Sequence, residues 1–325
     1  MKKKILAVFL SLCMAMSLLP VTALATGEEA ISITSATTGL STGSYILNED
    51  IILSGQMTVA KDQNVTINLN GHVLSLGKKS LTNEGTLTIQ DDSKKQEKGK
   101  ITSTSTPAIQ NNGTLTVKNN VTIETTNSIA VRGGNDASSF TLEEGTITGK
   151  TYGFYGKATQ SVFKEGTING KIYATSGQVI IGTEKGENAS IVVNGDVTIS
   201  ESTVIRCGDI KNITGDLKNL SSLNCILRTD ISSKLPAGKA LETGSDTKGT
   251  YYKIIELEQS KAEAKIGESF YASAAAAAKA LKDSKTLTLL KDITGDTSNA
   301  LLTITAKNAT IDLNGKSVTN TNEKG

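Results

Sequence analysis

From residue 45 onward the chain is built of short runs in which apolar residues alternate with Thr and other polar residues. Residues 65–69, 87–90, 115–118, 121–124, 179–181 and 191–193 show the pattern, and Asn-Gly, Glu-Gly or Gly-Lys cuts one run from the next. A period of two over so few residues predicts strands with one face in a core and the other in solvent. No amphipathic helix of useful length precedes residue 270. Residues 273–282, Ser-Ala-Ala-Ala-Ala-Ala-Lys-Ala-Leu-Lys, predict a short Ala-rich helix with Ser273 as its N-cap.

Self-comparison sharpens the prediction. Residues 144–152 match residues 165–173 at an offset of 21, with seven of nine positions identical, and residues 83–89 match residues 111–117 at an offset of 28. Each offset is the length of one coil of a β-solenoid, in which two or three short strands are joined by turns. Successive coils stack through parallel hydrogen bonds at a rise of roughly 4.8 Å, inward positions take Ile, Val, Leu or Ala, and the near-absence of Pro spares the ladder. A β-sandwich with strands every 8–12 residues does not explain the tandem match. A longer duplication is visible as well: residues 64–72 resemble residues 308–316 at an offset of 244. A second array therefore starts near residue 269, with the Ala-rich helix as a lid over its open end, and the chain reads as ending while that array is beginning.

The run Tyr45-Ile46-Leu47-Asn48-Glu49-Asp50-Ile51 with Val65-Thr66-Ile67-Asn68-Leu69-Asn70-Gly71-His72 resembles the pectin-lyase-like right-handed parallel β-helix repeats of large bacterial surface proteins. Phe270-Tyr271-Ala272-Ser273 followed by residues 286–293 carries the same resemblance, which spans about residues 40–232 and 269–325. It implies an all-β, right-handed parallel β-helix, adhesin-like in most members. Enzymatic relatives on the same scaffold cleave pectin and other polysaccharides. The division expected is a signal peptide over 1–25, a parallel β-helix over 26–232, an irregular hairpin and connector over 233–268, and a cap helix with the start of a second β-helix over 269–325.

The signal peptide is read from Lys2-Lys3-Lys4, an apolar run from Ile5 to Leu19, and Ala23-Leu24-Ala25, with cleavage after about Ala25. This predicts a secreted or cell-surface protein. Removing its three Lys takes the formal net charge from +2 to −1. That weak charge argues against a nucleic-acid partner, and no second apolar run is long enough to span a membrane. Of the two cysteines that remain, Cys207 and Cys225, an exported chain allows a disulfide, and two buried thiols read equally well.

Little in the chain points to catalysis. A lyase needs a base beside Ca²⁺ held by carboxylates, and a hydrolase needs carboxylates converging on one groove. The available acids are Asp91-Asp92, which read as the start of a loop to Gly99, and Glu143, Glu144 and Glu165, which precede turn glycines. The acidic clusters and the Gly-His-Gly and Arg-x-Lys elements of polygalacturonase-type hydrolases are missing. His72 reads as a turn residue, because Lys316 stands in the matching place of the second array. Neither a metal site nor a cofactor is expected.

The aromatic residues stand out instead. Five of the 11 that follow the signal lie between residues 152 and 173: Tyr152, Phe154, Tyr155, Phe163 and Tyr173. The 21-residue offset places Tyr152 directly beside Tyr173 on neighbouring coils. Tyr152, Tyr155 and Tyr173 are then the candidate binding residues, as an outer aromatic surface for sugar rings or partner proteins. An interior ladder that only stabilises the coil is the competing reading. The expected function is a non-enzymatic scaffold for adhesion or contact with glycans, host or cell-wall components. The alternatives are a polysaccharide lyase or glycoside hydrolase, and a pure spacer in a larger wall protein.

Overall fold

The computed structural model describes residues 29–97, 99–183, 191–199, 203–215, 217 and 224–322. The predicted signal segment, 1–25, lies outside the described residues. The described residues form an all-β solenoid of stacked parallel coils, with one short α-helix among them.

Three runs of strands wrap a common core. The first joins nine parallel strands, from Ile31–Ser32 through Gly43–Ile46, Asn64–Asn68, Thr86–Gln90 and Thr114–Val117 to Thr203–Ile205. The second passes through Gly39–Leu40, Thr58–Val59, Leu81–Asn83, Ile109–Asn111 and Ile129–Gly134, and the third through Ile51–Ile52, Val73–Ser75, Lys100–Ser103 and Val121–Thr125. The second and third merge in Gly145–Lys157, a 13-residue strand that pairs with Val121–Thr125 through its first half and with Ile129–Gly134 through its second.

The alternation seen in the sequence becomes columns in the core. Tyr45, Ile67, Ile89, Val117, Leu142, Phe163, Ile181 and Ile205 lie in one register column, all buried, on eight successive coils. Each large apolar side chain removed from water contributes about 1.5–3 kcal/mol, and no coil could gain this alone. Coil length along the column varies from 28 residues, Ile89 to Val117, down to 18, Phe163 to Ile181. The offset of 28 read from the sequence holds in the register, with Asn83 opposite Asn111 and Thr86 opposite Thr114.

One feature of this interior is polar. Asn83 and Asn111 are fully buried at a corner, and Asn83 Nδ2 donates to Asn111 Oδ1 at 2.7 Å and to the Thr114 carbonyl at 2.9 Å. Asn111 Nδ2 donates onward to the Ser139 carbonyl at 2.8 Å. The pair ties three successive coils together at this corner, and each buried side-chain amide finds its hydrogen-bond partners there.

The parallel stack ends at Asn224–Leu227. Its next neighbour is antiparallel: Leu227 pairs with Tyr252 of the hairpin Lys239–Asp246 and Gly249–Glu256. Arg228 fastens this hairpin, with two hydrogen bonds of 2.7 Å to Asp209 on the solenoid and bonds of 2.9 and 2.8 Å to Asp246 on the hairpin. Cys207 and Cys225 are buried on adjacent strands and are free thiols. Burial, reinforced by the neighbouring Cys207, pushes the Cys225 thiol up to about 12.

A second, smaller core follows. Thr286–Leu289 pairs antiparallel with Ala264–Ile266 and parallel with Thr310–Asp312. The helix Ala274–Ala280 lays Ala274, Ala276, Ala277 and Ala278 into this core with Leu287 and Leu289. The Ser273 hydroxyl accepts from the Ala276 amide at 3.4 Å, the cap its sequence predicts.

Candidate functional site

The tyrosines are positioned by the bend in Gly145–Lys157. Through Thr148 the register follows the 21-residue offset, with Thr146 opposite Thr167, Ile147 opposite Ile168 and Thr148 opposite Asn169. The strand then bulges. Tyr152 faces Lys171, Phe154 faces Ile172, and Tyr155 faces Tyr173, so the offset falls from 21 to 18 within a few residues. Extra residues on one strand of a pair re-aim the side chains that follow. The expected Tyr152–Tyr173 pairing is thereby corrected: Tyr155, not Tyr152, is the direct neighbour of Tyr173.

The same bulge sorts the five aromatic residues between two environments. Phe154 turns inward and stacks on Phe140, with centroids 5.5 Å apart and planes 7° from parallel. Phe163 meets both edge-on, at 5.5 and 5.7 Å. All three are fully buried. The tyrosines face outward. Tyr155 and Tyr173 stack at 5.6 Å with planes 13° apart, and Tyr152 leans across them at 4.9 Å from Tyr155 and 6.4 Å from Tyr173, tilted by 57° and 58°. The three rings form a ridge rather than a single flat plane. Tyr173 is exposed, and Tyr152 and Tyr155 are half-buried. No side-chain hydrogen bond engages any of the three hydroxyls among the described residues, so the ridge offers apolar ring surface and unpaired donors together.

The column through this ridge has a cationic end. Thr82, Gln110, Arg132, Tyr155 and Tyr173 are consecutive register partners. Arg132 is exposed beside Tyr155, and Lys171, opposite Tyr152, is exposed and pairs with Asp196 at 3.3 Å. Sequence reading found the tyrosines by their density but missed Arg132. Its coil matches its neighbours in register without matching them in residue identity.

The acidic residues have structural partners. Asp91 is buried, and its carboxylate accepts from the amides of Gly71 at 2.8 Å, Ser93 at 2.7 Å and Gly99. Burial raises its pKa, but the hydrogen bonds to Ser93, Gly99 and Gly71 outweigh this and hold the carboxyl below its ordinary range. Asp92 is exposed and accepts from Asn68 and Asn119. Glu143 pairs with Lys164 at 3.3 Å. His72 bridges Asp50 at 3.3 Å and Lys95 at 3.1 Å. Its amide donates to the Leu69 carbonyl at 2.9 Å, as the Lys316 amide does to Leu313 at 2.7 Å. Histidine and lysine thus occupy equivalent turns. No cluster of three or more His, Cys, Asp or Glu groups suited to a metal ion occurs among the described residues, and no helix there is long and apolar enough to cross a membrane.

Comparison with known proteins returns no matching family model, no matching curated protein and no matching solved structure.

Proposed function

We propose that the protein is a non-enzymatic, secreted or cell-surface scaffold, adhesin-like in role, that contacts glycans through Tyr152, Tyr155 and Tyr173. The observation that carries this reading is the outward stack of Tyr155 on Tyr173 with Tyr152 leaning on both. The interior already holds its own aromatic cluster in Phe140, Phe154 and Phe163, so the tyrosines are not needed to fill the core. Aromatic edges with free hydroxyls suit a ligand that is apolar on its ring faces and polar around its rim, as sugars are. Export rests on the N-terminal sequence pattern, and the surface-protein role on the resemblance of the repeats.

A glycan array probed with the intact chain and with the Tyr155→Ala/Tyr173→Ala double variant tests the proposal. Binding by the parent that is lost in the variant, with the circular dichroism spectrum unchanged, supports it. Equal binding by both removes the tyrosines from the function. Release of reducing ends or unsaturated products from any of the same glycans replaces the scaffold reading with an enzymatic one.

A further inference from the structure

Arg132 stands next in line to the stacked tyrosines. It is one register step from Tyr155 on one side and from Gln110 on the other, so its guanidinium sits on the same outward column. Its side chain has no ion pair, hydrogen bond or ring contact among the described residues, unlike Lys157, which pairs with Asp136 at 3.8 Å, and Lys171, which pairs with Asp196. Arg228 shows how this chain uses an arginine structurally: it is saturated by two carboxylates. Arg132 is held on a rigid strand with all its donors unspent. Adjacent strands lie about 4.8 Å apart, a step comparable with one hexose unit of an extended polysaccharide. A linear glycan lying along the solenoid axis would therefore set one sugar against the tyrosine ridge and the next against the guanidinium.

We infer that the tyrosine ridge takes an anionic polysaccharide, and that Arg132 is the group that receives its carboxylate or sulfate. This rests on the glycan-contact reading above. The planar fork of arginine matches both anions with paired hydrogen bonds, which a lysine cannot reproduce.

Three polymers of one backbone separate the possibilities: dextran, carboxymethyl-dextran and dextran sulfate, titrated against the intact chain, Arg132→Gln, Arg132→Lys and Tyr155→Ala/Tyr173→Ala. The expected result is at least about fivefold tighter binding of an anionic polymer than of dextran, consistent with a charge-assisted bond. That preference should shrink with added salt, vanish in Arg132→Gln and return in part in Arg132→Lys. Whichever of the two charged polymers binds tighter names the anion. The tyrosine double variant should lose all three polymers, whereas Arg132→Gln loses only the anionic excess. Equal affinity for charged and neutral dextrans, or a preference unchanged in Arg132→Gln, overturns the inference and leaves the glycan reading standing. Failure of all three polymers to bind, together with a blank glycan array, removes both.

Discussion

Asn70 and Asn314 stand 244 positions apart and make the same turn. Each adopts a left-handed backbone, with φ of 51° and 48°. Each sends its side-chain amide to a carbonyl one coil earlier, Asn70 to Leu47 at 3.2 Å and Asn314 to Leu289 at 3.0 Å. In both, the following Gly also has positive φ, and the Asp immediately before the previous coil's strand accepts from the amide three residues after the Asn: Asp50 from Val73 at 2.9 Å and Asp292 from Ser317 at 2.8 Å. The internal duplication is therefore a duplication of a hydrogen-bonded corner as well as of a letter pattern.

Replacing either asparagine separates its two contributions. Asn70→Ala loses both tolerance of positive φ and the amide bond, and should cost about 2–3 kcal/mol. Asn70→Gly keeps the backbone conformation and should cost only about 1 kcal/mol. Urea unfolding followed by circular dichroism should rank the parent above Gly and Gly above Ala; equal losses in the two variants would mean the side-chain bond they both lack, not the backbone, decides the turn.

Acid should loosen the corner at Asp91. Its carboxyl is held below the ordinary value in the folded chain, so the stability it contributes is present above the unfolded-state pKa of about 3.9 and is lost as pH falls through the lower folded value. Asp91→Asn should be less stable than the parent by about 1–2 kcal/mol at neutral pH. The gap should close as the pH is lowered past the carboxylate range. Parallel unfolding curves at a series of pH values check this, and a gap that stays constant would show that the charge of Asp91 is irrelevant.

The hairpin should come loose before the solenoid does. Arg228 and Asp209 are each mostly buried, and their pairing with Asp246 is the main polar link across the Leu227–Tyr252 junction. Arg228→Met leaves Asp209 facing only Lys248, at 3.0 Å, and should cost about 1–3 kcal/mol locally. Hydrogen exchange should rise in 239–256 and stay unchanged in 64–142. Arg228 first, with the Lys248 amide assisting, holds the Asp246 carboxyl down at about 2, so the link should persist in acid until the pH approaches that value.

Cys207 and Cys225 should be silent in the native chain. Burial keeps Cys225 protonated far above neutral pH, and the thiolate is the reactive form. An alkylating reagent should modify neither cysteine until denaturant is added, and both afterwards, as read by intact mass. Modification in denaturant that appears only after a reductant is added would instead reveal a disulfide.

Much of this architecture was legible before any coordinates. Turn glycines, alternating Thr and apolar residues, and the 28-residue match are local features, and local features survive translation into strands. The tyrosine geometry was less so. The Gly-Lys-x-Tyr similarity of residues 149–152 and 170–173 holds the letters at an offset of 21 while the backbone slips to 18 across the bulge. Identity in that stretch hides the insertion that decides which ring meets Tyr173. The buried Asn83–Asn111 pair sits in the 28-residue match, but matching letters do not say that both side chains turn inward and bond to each other across the coils. Arg228 could not be placed at all, since its partners lie on strands 19 residues before it and 18 after.

The reversed strand at Tyr252 has a consequence for how this molecule counts. Parallel rungs add without limit, because each new edge presents the same unmet donors and acceptors as the last. Leu227 hands that edge to a strand running the other way, and growth by repetition is arrested there. The hairpin is thus punctuation in the stack. It lets the chain close one column of rungs and open another around Leu287 and Leu289, so that the two can melt, and be altered by evolution, at different rates.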